Sequence, residues 1–408
     1  MFKLRPYQQE ISEKATETLS KLKIVYLAME VRTGKTLTSL NVAKLYGAKN
    51  VLFLTKKKAI KSIQDDYKMA GFEFNLTVMN DESLHKIKGS YDLVIHDEHH
   101  RFGSFPKPST RARLFKKMYS HLPMIFLSGT PFPESYSQVY HQFWVSKFSP
   151  FHQYTTFYKW ANSFVEKKVK YLGTHEAIDY SGADFHKVNL FIENYLIKLT
   201  QKDAGFETNV IENVLYCDML PITKKLCKTL LKDLVVKGNN EVILADTGAK
   251  LQSKIHQLCS GTIKFESGNS KVIDWSKAQF IKNRFSNNKI GIFYKFKEEY
   301  NALKHIYGET LTNDLETFNN DPKMNIALQV VSGREGISLK KADYLVYYNI
   351  DFSAVSYWQS RDRLTTMERK TNEIFWVFSK GGIESKIYKS VLNKKDYNLR
   401  IFKKDYGI

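Results

Sequence analysis

The chain has 408 residues, 43% hydrophobic and 25% charged, enough for two core-forming domains or one with large insertions. Its 62 basic and 42 acidic side chains leave a net charge of +20, which points to a polyanionic partner, most simply nucleic acid, or to the Lys-rich usage of an AT-rich genome. No apolar run approaches the roughly 18 residues of a membrane span, and the scattered Cys217, Cys227 and Cys259 make neither a CxxC metal site nor a disulfide framework.

With no apolar signal region at the N-terminus, the expectation is a soluble cytoplasmic protein of a bacterial or phage-infected cell, with no membrane partner. Composition does not address the oligomeric state, and a monomer is compatible with everything that follows.

Leu4-Arg5-Pro6-Tyr7-Gln8 precedes a helical segment running to about Lys21. A glutamine amide offers a donor and an acceptor side by side, which suits the edge of adenine. Ile24 to Ala28 reads as a buried strand and Leu37 to Tyr46 as a helix. Between them, Glu30-Val31-Arg32-Thr33-Gly34-Lys35-Thr36 has the makings of a phosphate-binding loop. Backbone must approach the phosphates at the glycine, and amides at a helix start point at the anion. Lys35 would reach the terminal phosphates of ATP, and the Thr36 hydroxyl would hold Mg2+. The full pattern has glycine where Met29 stands; the bland alternative is an ordinary strand-to-helix turn.

Val51 to Thr55 is a second strand, followed by Lys56, Lys57 and Lys58, which either grip a phosphodiester backbone or start a solvated helix. Tyr91 to His96 is a third strand, ending in Asp97-Glu98-His99-His100. Adjacent carboxylates there have a clear chemical use: one organises magnesium, the other polarises an attacking water. Met124 to Leu127 is a fourth, running into Ser128-Gly129-Thr130-Pro131. Strands alternating with helices, with polar groups at the strand ends, describe a parallel α/β sheet with its site on that edge.

From Tyr136 to about Asp203 closely spaced aromatics predict packed helices inserted at the end of this first lobe, their rings serving a core rather than stacking on bases. Asn213 to Cys217 reads as a strand, Thr223 to Val236 as a basic amphipathic helix, and Lys250 to Cys259 as another helix. A second α/β lobe follows, with strands at Ile290 to Tyr294, Asn325 to Val331 and Tyr344 to Tyr348, then a helix carrying Gln359 to Arg363. The tail lysines, from Lys386 to Lys404, read as a solvated face that adds to a nucleic-acid field.

Taken in order, Arg5-Pro6-Tyr7-Gln8, Gly34-Lys35-Thr36, Asp97-Glu98-His99-His100 and Ser128-Gly129-Thr130-Pro131 resemble the Q-type motif and motifs I, II and III of superfamily 2 helicases and translocases. Ala28-Met29-Glu30 and Tyr91 to Ile95 are closer to the Swi/Snf branch, as is Tyr195 to Asp203, where such ATPases leave their first lobe. Ile290 to Tyr294, Ser332-Gly333-Arg334-Glu335-Gly336 and Gln359 to Arg363 resemble motifs IV, V and VI. His99 departs from the usual small residue of motif II.

The resemblance implies an α/β fold of two RecA-like parallel-sheet lobes: residues 1–205, with a helical insertion over about 136–200, and residues 206–408, starting with a helical segment. It implies a nucleic-acid-stimulated ATPase using ATP and Mg2+, with duplex or branched DNA favoured over RNA. An RNA helicase, or an ATP-gated clamp with little hydrolysis, are the alternatives. Arg5, Gln8, Thr33, Gly34, Lys35, Thr36 and Gly336 would bind the nucleotide, with Thr36 and Asp97 on the metal. Lys35, Asp97, Glu98, Gln359 and Arg363 would be catalytic. Lys56, Lys57, Ser128, Thr130, Ser332 and Arg334 would meet nucleic acid. In motif VI the family shows glutamine and two arginines at positions zero, four and seven, one face of a helix. Gln359 and Arg363 fill two of these positions, and Thr366 stands at the third.

The charge balance carries its own test. Affinity for nucleic acid should fall steeply with salt and depend little on sequence, because counterion release sets the slope. A log–log slope near zero between low and physiological salt, in a fluorescence titration, would remove the polyanion argument.

Overall fold

Strands buried on both faces read as unbroken apolar runs, and the first lobe is built from such runs. The structure is a computed structural model that describes residues 3–407 except 173–174, 208, 239, 334–336, 367–368 and 394; side chains at 170–172, 175, 332–333, 355, 359 and 362 are also outside the description. The described chain divides into two units, Met1–Phe206 and Glu207–Ile408.

In the first unit, α1 (Pro6–Leu22) leads into β1 (Ile24–Met29) and α2 (Lys35–Tyr46). Then come β2 (Asn50–Thr55), α3 (Ile60–Ala70), β3 (Asn75–Asn80), β4 (Leu93–His96), α4 (Thr110–Tyr119) and β5 (Met124–Leu127). The chain continues through α5 (Val139–Trp144), α6 (Phe157–Phe164), β6 (Lys168–Leu172), β7 (His175–Asp179), α7 (Phe185–Ile192) and β8 (Leu196–Leu199). Six strands form a parallel sheet in the order β3-β2-β4-β5-β1-β8.

Alternate side chains of this sheet divide between two cores. Val25, Leu27, Val51, Phe53, Ile95 and Ile125 pack with the apolar faces of α1 and α2. Ile24, Tyr26, Leu52, Val94, Met124 and Phe126 pack with α4 and with the aromatics Phe143, Phe151, Phe157 and Trp160. Burying each such side chain is worth about 1.5–3 kcal/mol. The aromatic stretch therefore serves packing. It is not wholly helical, however: β6 and β7 form an antiparallel hairpin, and β8 returns to the sheet edge beside β1.

The second unit opens with β9 (Asn209–Cys217), α8 (Pro221–Asp233), the antiparallel pair β10 (Val235–Lys237) and β11 (Val242–Leu244), and α9 (Gly248–Cys259). The helix expected to reach Val236 thus stops at Asp233: Leu234 adopts φ 59°, and its amide bonds the Leu230 carbonyl. A second hairpin, β12 (Thr262–Lys264) and β13 (Ser270–Val272), precedes α10 (Ser276–Arg284), β14 (Ile290–Tyr294), α11 (Lys297–Tyr307) and β15 (Leu311–Thr312). Next come α12 (Leu315–Asn320), β16 (Asn325–Gln329), α13 (Val330–Gly333), β17 (Tyr344–Tyr347) and α14 (Ala354–Ser360). The unit ends with β18 (Thr371–Ser379), α15 (Glu384–Leu392) and α16 (Leu399–Tyr406). Its parallel sheet has the order β15-β16-β14-β17-β18-β9. Both units are RecA-like α/β lobes. Among the described residues no helix is long and apolar enough to cross a membrane.

One charge pair lies deep in the second lobe. Lys277 Nζ is 2.7 Å from Glu384 Oε1, with the two side chains 4% and 0% exposed. Removing one partner of such a pair strands the other in low dielectric. Glu384→Ala should cost this lobe about 3 kcal/mol, read as a lower urea midpoint for its transition. Glu316→Ala, in the first turn of α12 and exposed, should shift it little.

Candidate nucleotide site

Parallel strands bring their C-terminal ends to one edge, and β4, β5 and β1 are consecutive in the sheet. The turns after them therefore meet: the Glu30–Thr36 loop from β1, Asp97 and Glu98 from β4, and Ser128 to Thr130 from β5. Two left-handed residues shape the loop, Arg32 at φ 69° and Gly34 at φ 83°. Gly34 directly precedes the first turn of α2, and a Cβ there would lie 2.1 Å from Gln8 Nε2. Lys35 Nζ donates to the carbonyls of Met29 (3.0 Å) and Glu30 (3.4 Å), so its charge rests on main-chain oxygens. Thr33 is buried, its hydroxyl donating to the Glu30 carbonyl.

Gln8 is buried against this loop. Its Oε1 accepts from the Arg5 amide and its Nε2 donates to the Gly34 carbonyl. Exposed Arg5 donates to the Tyr7 hydroxyl, which donates to the Thr33 carbonyl. The N-terminal motif thus braces the loop as well as standing beside it. Sequence reasoning missed a second brace. Gln201, just past β8, donates its main-chain amide to Glu30 Oε2 (2.6 Å) and its side-chain Nε2 to the Val31 carbonyl (2.9 Å). Only the return of β8 beside β1 puts it there.

Asp97 Oδ2 accepts from Thr55 Oγ1 at 2.9 Å. Burial and the neighbouring Glu98 raise its carboxyl above the usual range, against the opposing charge of Lys35. A group charged only at a cost gains from a cation placed against it. Mg2+ takes one or two carboxylates with substrate phosphates and waters rather than an all-protein cage. A carboxylate such as Asp97, with a hydroxyl such as Thr36, is the kind of sparse donor set this ion takes. Glu98 sits at φ 49° and its Oε2 is 3.2 Å from His100 Nδ1. That nitrogen is also 2.9 Å from Ser128 Oγ, which accepts from the Thr130 amide. Ser128 is fully buried, so as a contact for a nucleic-acid strand it is corrected: its hydroxyl links the turns after β4 and β5. Lys56 opens a short 3-10 turn after β2, and Lys57 is exposed there.

His99, the departure within motif II, is a core residue. It stacks on Phe126 with centroids 3.6 Å apart. Its Nε2 lies 2.8 Å from the Gln142 carbonyl, which can only accept, so Nδ1 is left bare to accept from His96 Nδ1 at 2.6 Å. Burial pushes both imidazoles below the ordinary range. Gln142 in turn accepts from Tyr26 and donates to the Pro131 carbonyl.

In the second lobe α14 stops at Ser360 and Arg361–Leu364 is a 3-10 turn. Arg363 and Thr366 therefore do not continue one α-helical face from Gln359, and the zero-four-seven reading is corrected. Arg363 Nη1 donates to the Ile337 carbonyl (3.2 Å) and is largely buried. Arg361 pairs with Glu212 (3.0 Å), and Arg369 donates to the Ala342 and Asp343 carbonyls, so both hold structure. Arg334 and Gly336 lie outside the described residues, as do the side chains of Ser332 and Gln359.

The loop geometry separates two glycines. Gly34→Ala forces a left-handed alanine, about 1–2 kcal/mol of strain, and displaces Gln8. It should weaken nucleotide binding on the order of tenfold or more. Gly47 has φ 77° but open space around it, so Gly47→Ala should leave binding unchanged. Calorimetric titration with ATP compares the two.

Residues 1–70 match the family model described as type III restriction enzyme, res subunit. No curated protein matches the chain. Among solved structures, the Sulfolobus solfataricus SWI2/SNF2 ATPase core in complex with dsDNA is 15% identical at a TM-score of 0.42, over 96% of this chain and 91% of that one. The ATPase core domain of the same organism is 16% identical at 0.42, over 97% and 89%. The fold assignment rests on the two sheets themselves. By its motifs and its N-terminal match, the chain is similar to superfamily 2 helicases and translocases of the Swi/Snf type.

Proposed function

We propose that the chain is an ATP-hydrolysing motor stimulated by nucleic acid, acting on duplex or branched DNA in preference to RNA. The observation that carries this reading is the convergence of Lys35, Asp97, Glu98 and the His100–Ser128 link at the ends of three adjacent parallel strands. Lys35 leaves its carbonyl partners for the β- and γ-phosphates. Thr36 and Asp97 would hold magnesium, whose charge, when bound, would offset the negative charge of the phosphates. Glu98 orients a water and takes its proton as the water oxygen bonds the γ-phosphorus and the bond to the ADP oxygen breaks. His100 fixes the Glu98 carboxylate and, through Ser128, connects it to the turn carrying Thr130. The preference for DNA rests on the Swi/Snf-like motifs. Arg363 is assigned the arginine finger by its motif.

Steady-state phosphate release with single-stranded, duplex and forked DNA and with RNA tests the reading. Lys35→Ala should abolish turnover and weaken ATP binding. Glu98→Gln should retain ATP while stopping turnover. Arg363→Ala should cut turnover by about 10³-fold or more with ATP affinity nearly unchanged. Wild-type turnover in Glu98→Gln would overturn the assignment of the carboxylates; phosphate release unaffected by every nucleic acid would overturn the motor. A near-normal Arg363→Ala enzyme would show that Arg363 serves only its contact with Ile337.

A further inference from the structure

Between Lys386 and Lys404 the sequence holds seven basic residues and one acid. The acid is Asp396, whose Oδ1 accepts from the Ala354 amide at 2.7 Å, holding the start of α14. Just outside the stretch, Glu384 is buried on Lys277, and Asp405 accepts from the Tyr397 hydroxyl. The carboxylates of this segment are thus engaged in holding its fold.

The fold gathers part of that excess. Ile387 and Val391 of α15 face the core, which turns Lys386, Lys389 and Asn393 outward along one stripe. Ile401 and Asp405 of α16, with Lys395, complete the lining of an open depression of about 610 Å³. The loop between the helices is stapled: Ser390 and Lys395 exchange two hydrogen bonds, and the Asn393 amide donates to the Lys389 carbonyl. Lys386 is pinned, donating to the Asp405 carbonyl (2.8 Å) and lying 3.6 Å above the Tyr406 ring. Lys389 and Lys395 are exposed and have no ion pair among the described residues.

We propose that this depression between α15 and α16 is an auxiliary seat for the phosphodiester backbone of nucleic acid. The proposal rests on the reading of the chain as a nucleic-acid motor. Like charges held close together repel, and a polyanion laid across them relieves that repulsion. Long ammonium side chains on a shallow wall suit a repeating phosphate chain. A single small anion calls for convergent, bidentate donors, and none lines this depression. Contacts of this kind position a strand without reading its bases.

The test is the Lys389→Gln/Lys395→Gln double variant of the full chain, titrated with a fluorescent duplex over a salt series. Each phosphate contact contributes about 0.9 to the log–log slope, so the slope should become shallower by about 1.8. Phosphate release without nucleic acid and the thermal midpoint should stay at wild-type values. A wild-type slope in the variant would overturn the seat while leaving the motor reading intact. A wild-type protein that binds no nucleic acid would instead sink the motor reading, and the seat with it. Loss of binding to phosphatidylserine vesicles with an unchanged duplex slope would reassign the lysines to a lipid surface and overturn the proposal.

Discussion

Everything at the nucleotide edge depends on one constraint: parallel strands all end on the same side. β1, β4 and β5 are neighbours, so three turns far apart in sequence are delivered within a few ångströms by main-chain hydrogen bonds alone. The apolar runs that make these strands can be fully buried only if helices cover both faces, which α1 and α2 do on one side and the aromatic insertion on the other. Site geometry and core packing are therefore the same problem, solved by the same residues.

Beneath that edge lies a polar layer that an apolar core does not need. Tyr26, Gln142, His99 and His96 are buried and hydrogen-bonded in a chain, and Gln142 reaches on to Pro131 after β5. An unpartnered buried amide or imidazole costs about 1–3 kcal/mol, so each member fixes the next. The layer joins β1, the turn carrying Glu98 and the turn carrying Thr130 to α5. A small residue at position 99 would leave the Gln142 carbonyl and His96 without these partners.

The second lobe uses charge differently. Glu212 on β9 receives Tyr357, Trp376 and Tyr388 and pairs with Arg361, clamping α14 and α15 to the sheet. Glu384 holds Lys277 in the interior. Glu212 and Glu384 are thus spent on structure, while the chain as a whole carries a net charge of +20. Interactions through such a surface are governed by ionic strength, with a screening length of about 8 Å at physiological salt.

The strands with strong local signals were legible without tertiary information, because burial on both faces demands continuous apolar residues: Ile24 to Met29, Met124 to Leu127 and Ile290 to Tyr294 declare themselves. So did the order of the polar turns, since Gly34, Lys35 and the Asp97–Glu98 pair each follow on an apolar strand. β3 was missed because an edge strand is half solvated and mixes Asn75, Thr77 and Asn80 with its apolar residues. The hairpin of β6 and β7 was hidden for the same reason among aromatics that suit helix and strand alike. What the sequence alone determined is which groups sit at the strand ends. That Gln201 braces the loop, that Ser128 turns inward to His100, that His99 belongs to the core and that Arg361 and Arg369 are spent on structure were decided only by tertiary contacts. Each depends on a partner more than 25 residues away, and no local pattern encodes such a partner.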